Sequence, residues 1–117
     1  MSDFYDFLKR TLASVAIGEF KSGKFCEAQE LYEQAVATYG KGFRGAYLLQ
    51  EPGTDRGISV IFWDSVEEMD ENERKLLHQD ILKKMNPLFV KAPAVSIYEV
   101  VSDLKPQDLA VAQTNSL

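Results

Sequence analysis

Between Phe25 and Tyr39 the apolar residues fall at steps of three and four: Phe25, Ala28, Leu31, Tyr32, Ala35, Val36 and Tyr39, with Glu27, Glu30 and Glu33 opposite. That period predicts a helix with one buried face. Gly40 and Gly42 follow and are expected to supply a left-handed C-cap, since glycine has no Cβ to clash there. On either side the period shortens. Residues 13–20, ASVAIGEF, alternate imperfectly and carry β-branched residues, which predicts a strand ending before the turn Lys21-Ser22-Gly23-Lys24. Phe43 to Glu51 and Gly57 to Asp64 flank Pro52-Gly53-Thr54-Asp55-Arg56, where proline presets a turn and glycine supplies positive φ, so a hairpin follows. Pairing Glu51 with Gly57 would set Tyr47 opposite Ile61 and Gly45 opposite Trp63, so that the indole covers a glycine. A slip of one residue would put these side chains on opposite faces.

Ser65 and Glu68 form the S-x-x-E pattern of a capping box and start a further helix. Asp70 to Lys75 holds no apolar residue, and the stripe resumes with Leu76, Leu77, Ile81, Leu82, Met85, Leu88 and Phe89. Two helical pieces with an exposed or broken joint are expected, and Pro87 disturbs the last turn. Val95 to Val101 is a run of β-formers and predicts a final strand. Ahead of all this, Ser2, Phe4, Phe7, Leu8 and Leu12 predict a short amphipathic lead-in helix over residues 1–12. Residues 13–103 then form the folded domain. Residues 104–117, polar and carrying Pro106, are expected to be a mobile tail in which Leu109 to Ala112 could dock on a partner.

A chain of 117 residues supports one core, and 45% hydrophobic with 26% charged residues is an ordinary globular composition. The net charge of -5 and the dispersed basic residues argue against nucleic acid, whose binding rests on clustered lysine and arginine. The start, MSDFYDFLKR, lacks the features of an export signal, and the longest apolar runs are far too short to span a membrane. A soluble, cytoplasmic protein is expected. The single cysteine, Cys26, lies beside the apolar stripe and reads as a mildly buried, inert thiol.

Without the lead-in helix the order is strand, helix, strand, strand, helix, strand. This is the split β-α-β arrangement of an α+β, ferredoxin-like βαββαβ fold with a four-stranded antiparallel sheet. Two helices cover only one face of such a sheet, yet both alternating sets of strand residues are largely apolar. Leaving one set in water would expose an apolar patch unusual for a monomer, so a homodimer through the sheet faces is expected.

The arrangement EFKSGKFCEAQELYEQAV, GFRGAYLL, a hairpin and ISVIFWDSVEEM resembles the antibiotic biosynthesis monooxygenase group of the dimeric α+β barrel superfamily over about residues 13 to 101. The resemblance implies a pocket inside each protomer between sheet and helices. Some members of that group oxygenate polycyclic aromatic substrates with molecular oxygen and no cofactor, others bind and degrade haem, and many have no established reaction. It also implies that Trp63 is the family tryptophan at the end of the third strand. The haem-degrading relatives place an asparagine in the first strand, where ASVAIGEF has none, and a histidine on the second helix, where His78 lies.

Trp63 could stack on an aromatic ligand and donate its indole N–H, or serve as a large core residue. His78, with an ordinary pKa near neutrality, is the natural general base for a phenolic proton. It heads a helical face continued by Leu82, Met85 and Phe89, and is otherwise a histidine with no task. Tyr47 and Tyr98 on the strands could orient a ligand, and Arg44 is the nearest cation for an acidic one; packing and a solvated edge charge are the alternatives. The run Glu67, Glu68, Asp70, Glu71 and Glu73 has the spacing of a solvated helix face, and no metal is expected there. A cofactor-independent monooxygenase acting on a small aromatic or quinol-like molecule is the enzyme expectation. A non-catalytic small-molecule-binding or structural dimer is the alternative, and haem binding a third.

Overall fold

The computed structural model describes residues 11–109, so the lead-in helix except for Thr11 and Leu12, and the expected tail beyond Leu109 with most of its docking run, lie outside the described residues. Four strands, β1 (Leu12–Glu19), β2 (Phe43–Gln50), β3 (Arg56–Trp63) and β4 (Ala94–Glu99), form one antiparallel sheet in the order β2-β3-β1-β4. The helices are α1 (Phe25–Val36), α2 (Val66–Glu73) and α3 (Leu76–Met85), the last running into a 3-10 turn at Asn86–Leu88 that contains Pro87. This is the ferredoxin-like βαββαβ order, with the second helical connection broken at Arg74 and Lys75 where the apolar stripe lapses.

Several local expectations shift. Leu12 belongs to β1 and is completely buried. The first helix stops at Val36, with Ala37 still right-handed, ahead of both glycines. Gly42 takes φ +90° to enter β2, and a Cβ there would lie 2.5 Å from that of Glu68. The turn before it is held instead by Asn72. This buried amide donates to the carbonyls of Lys41 (3.0 Å) and Glu68 (2.7 Å) and accepts from the Gly40 N–H (2.8 Å). Lys75 Nζ adds a hydrogen bond to the Thr38 carbonyl (2.9 Å), a cation satisfying an orphan acceptor beyond the end of α1. Ser65 caps α2 by accepting from Glu68 N–H (3.3 Å), and its hydroxyl also meets the Glu68 carboxylate (3.1 Å).

The hairpin register is one residue from the expected one. Gln50 pairs with Gly57 and Tyr47 with Val60, while a bulge between Phe43 and Gly45 leaves Phe43, not a glycine, opposite Trp63. Since strand side chains alternate, this slip moves Tyr47 to the face away from the helices. Cys26 is exposed, because its step on α1 turns it to solvent next to the buried Phe25. After β4, residues 100–105 run beside Tyr47 and Phe62, and residues 106–109 take helical backbone.

The helices cover one sheet face. At one end Phe20, Phe25, Ala28, Met85 and Leu88 form a core cluster, with Phe20 edge-on to Phe25 at 5.4 Å. At the other end Trp63 is enclosed by Tyr39 and Phe43, with ring centroids 4.6 and 5.8 Å away. The opposite face, bearing Val15, Ile17, Tyr47, Leu49, Val60 and Phe62, is not covered by α1, α2 or α3, and Ile17, Tyr47 and Leu49 are exposed. No helix of the described residues is long and apolar enough to cross a membrane.

Candidate functional site

Between the two aromatic clusters the sheet and helices do not close completely. They leave a mostly apolar cavity of about 240 Å³. Its floor includes Ser14 and Ala16 of β1 with Ser59 and Ile61 of β3; the short side chains of Ser14, Ala16 and Ser59 leave the space between the layers unfilled. Tyr32 and Tyr39 from the α1 side and His78, Leu82 and Met85 from α3 form the opposite wall. The helical face headed by His78 therefore meets the cavity as its spacing implied, with Phe89 also in the lining. On the β4 side Val95 lines the cavity and is itself exposed, so the wall is open there.

Two polar arrangements are built into this wall. Tyr32 Oη donates to the Tyr47 carbonyl (3.0 Å) and accepts from Ser59 Oγ (3.0 Å), which fixes both hydroxyls. Burial pushes the Tyr32 phenol above its ordinary pKa, and the Ser59 hydrogen bond opposes that in part. Tyr39 is pushed up further, by burial first and then by the negative charge of Glu73. Both phenols stay protonated at neutral pH.

His78 is 3% exposed and packs its ring on Tyr39 at a centroid distance of 5.0 Å. Burial lowers its pKa, Lys75 lowers it further, and a hydrogen bond to the Ala35 carbonyl acts the other way. The imidazole is therefore neutral at pH 7. Thr38 Oγ1 donates its hydrogen to the Ala35 carbonyl (2.6 Å) and lies 3.4 Å from His78 Nδ1. A threonine oxygen committed in this way offers Nδ1 a lone pair, which favours the Nδ1–H tautomer and leaves the basic lone pair on Nε2.

Of the five side chains singled out from the sequence, only His78 reaches the cavity. Trp63 is completely buried behind Tyr39, and its Nε1 has no hydrogen-bond partner among the described residues. It supports the wall without lining it. Tyr47 and Tyr98, 62% and 56% exposed, stand on the outer face, where strand alternation and the one-residue slip put them. Arg44 sits at the bulge, its Nε 3.3 Å from Asp64 Oδ1, beside an outer depression shared with Tyr47 and residues 100–105. The ligand-orienting roles considered for these three do not converge on the cavity. In their place stand Tyr32, Tyr39, Ser14, Ser59 and Glu73. The tyrosines are hidden in a packing stripe, and Glu73 in an acidic run that reads as solvated. Ser14 and Ser59 left the one available signal, as small polar residues at inward positions of apolar strands.

The donor set fits haem poorly. Strand β1 offers the cavity Ser14 and Ala16 with no asparagine, and the space is below the roughly 300–1,000 Å³ typical of ligand pockets.

No protein-family model matches the chain, and no curated protein matches it by sequence. Solved structures do match by shape. A candidate antibiotic biosynthesis monooxygenase from Caulobacter crescentus superposes with a TM-score of 0.75 at 12% identity, over 87% of this chain and 100% of that one. SnoaB, a cofactor-independent oxygenase from Streptomyces nogalater, gives 0.73 at 13%, over 81% and 97%. A conserved protein from Methanosarcina mazei Go1 gives 0.70 at 17%, again over 81% and 97%. At these identities the likeness is one of fold, and one fold hosts many reactions. The chain thus has the α+β, ferredoxin-like fold of the antibiotic biosynthesis monooxygenase structures, as the resemblance in its sequence implied.

Proposed function

We propose that the protein is a cofactor-independent oxygenase of a small aromatic or quinol-like molecule bound in the cavity, working in the cytoplasm as a homodimer joined through the outer sheet faces. The observation that carries this reading is the mostly apolar cavity with a neutral, oriented histidine in its wall. A phenol placed there would lose its proton to His78, and the electron-rich anion would then react with oxygen directly. The substrate supplies all four electrons that reduce the oxygen molecule: one oxygen atom enters the ring as a quinone carbonyl, and the other leaves as water with two substrate hydrogens. Tyr39 packs against the imidazole and holds its plane.

Oxygen uptake with 1-naphthol and 1,4-dihydroxynaphthalene, corrected for the protein-free rate, tests this. His78→Ala is expected to lower the protein-dependent rate about 10²–10⁴-fold, the range general-base removal usually gives. In the unaltered protein the rate should fall as pH drops below the lowered His78 pKa, because the protonated ring cannot accept a proton. An uptake indifferent to His78→Ala contradicts the assigned role. The second reading, a non-catalytic binding dimer, is favoured by the burial of Trp63, which removes one of the two expected catalytic groups from the cavity. Thermal stabilisation by these naphthols without oxygen uptake would select it.

A further inference from the structure

Among the described residues that line the cavity, Glu73, at the end of α2, is the one with an acidic side chain. It belongs to an acidic run, yet it differs from its neighbours Glu71, Arg74 and Lys75 in being half-buried. Burial, and then the charge of Asp70, raise its pKa above the ordinary carboxylate value. Its charge is felt at the Tyr39 hydroxyl, which places the carboxyl group within electrostatic reach of the wall that also holds His78. Among the described residues no lysine or arginine lines the cavity. The nearest cation acting on His78 is Lys75, and its ammonium is spent on the Thr38 carbonyl at 2.9 Å. Arg44, the cation expected to greet an acidic ligand, is on the outer side of the sheet, paired with Asp64.

A small, mostly apolar space with one acceptor charge and no donor charge discriminates by ligand charge. An aromatic carboxylate, which arrives already ionised, would bring like charge beside Glu73 with no lysine or arginine of the described lining to neutralise it, whereas a phenol enters neutral and its anion forms paired with the His78 imidazolium. A ligand with a hydroxyl or ammonium hydrogen finds an acceptor whose own solvation is already incomplete. The volume of about 240 Å³ suits one or two fused rings.

We propose that Glu73 is the specificity-determining residue of the cavity, selecting one- or two-ring aromatic ligands that present a hydrogen-bond donor or a positive charge and rejecting aromatic carboxylates. This rests on the cavity being the ligand site. Three probes of the same ring separate the two ideas: 1-naphthol, 1-naphthylmethylamine and 1-naphthoate, each titrated into the full chain by calorimetry at pH 7. The hydroxyl and ammonium probes are expected to bind at least tenfold more tightly than the carboxylate. Glu73→Gln, which keeps the shape and removes the charge, should shrink the ammonium-to-carboxylate ratio at least tenfold. Glu73→Asp should retain most of it and guards against a fold effect of the amide. Equal binding of naphthoate, or a ratio unmoved by Glu73→Gln while the probes bind, overturns the assignment of Glu73. Binding of none of the three overturns the cavity as an aromatic site, and the inference with it.

Discussion

Trp63→Ala is expected to destabilise the protein by about 3–5 kcal/mol, the range for emptying a large aromatic site in a packed core. Trp63 is wholly buried, and two aromatic rings rest on it, Tyr39 at 4.6 Å and Phe43 at 5.8 Å. Domains of ordinary stability have only about 5–15 kcal/mol to lose, so the variant is expected to be partly unfolded near physiological temperature. Trp63→Phe separates packing from hydrogen bonding. It removes Nε1, a buried donor with no partner among the described residues, and so relieves a desolvation cost while giving up part of the ring. The two effects oppose, and the net change should stay within about 1 kcal/mol. Urea melts of the two variants check this. Equal losses would mean that the indole N–H has a partner and that Trp63 does more than pack.

The second large effect concerns the outer face. Val60 sits at its centre, with Val15 of β1 on one side and Tyr47 of β2 on the other. Neighbouring Ile58, Leu49 and Ile17 are 36%, 49% and 55% exposed, a contiguous apolar surface of the kind monomers seldom leave in water. A second copy offering the same self-complementary face would cover it. Val60→Asp would then bury two like charges near the dimer axis without touching the helix-covered core. The unaltered chain is expected to sediment as a dimer at micromolar concentration and Val60→Asp as a folded monomer. A monomeric unaltered chain, or a dimer that survives the substitution, contradicts the sheet-face interface.

The period of the apolar residues was enough for the elements and their order, because burial of one face forces period 3.6 on α1 and α3 and near-alternation on the strands. It was not enough for the register of β2 on β3. The bulge at Arg44 depends on Gly45 at φ +132°, a backbone event with no trace in the apolar pattern. The face that Tyr47 takes is set at the other end of the strand, where Gln50 and not Glu51 pairs with Gly57. His78 was legible because Leu82, Met85 and Phe89 continue its face. Glu73 was not, since a carboxylate at the end of an acidic run looks the same whether it meets water or a cavity, and only the packing of α2 and α3 around the break at Arg74 and Lys75 tells them apart. Trp63 was noticed for the right reason, its size, although its size is what places it behind the wall.

The central claim is that the space between sheet and helices is where a ligand sits, and filling it from the floor tests that most directly. Ala16 projects a single methyl into the cavity from the middle of β1. Calorimetric titration of 1-naphthol into the unaltered chain and into Ala16→Phe, with folding of both checked by urea melts, is the measurement. The account predicts saturable binding to the first and its loss, by at least tenfold, in a folded second. Undiminished binding to folded Ala16→Phe, or no binding to the unaltered chain, would contradict it.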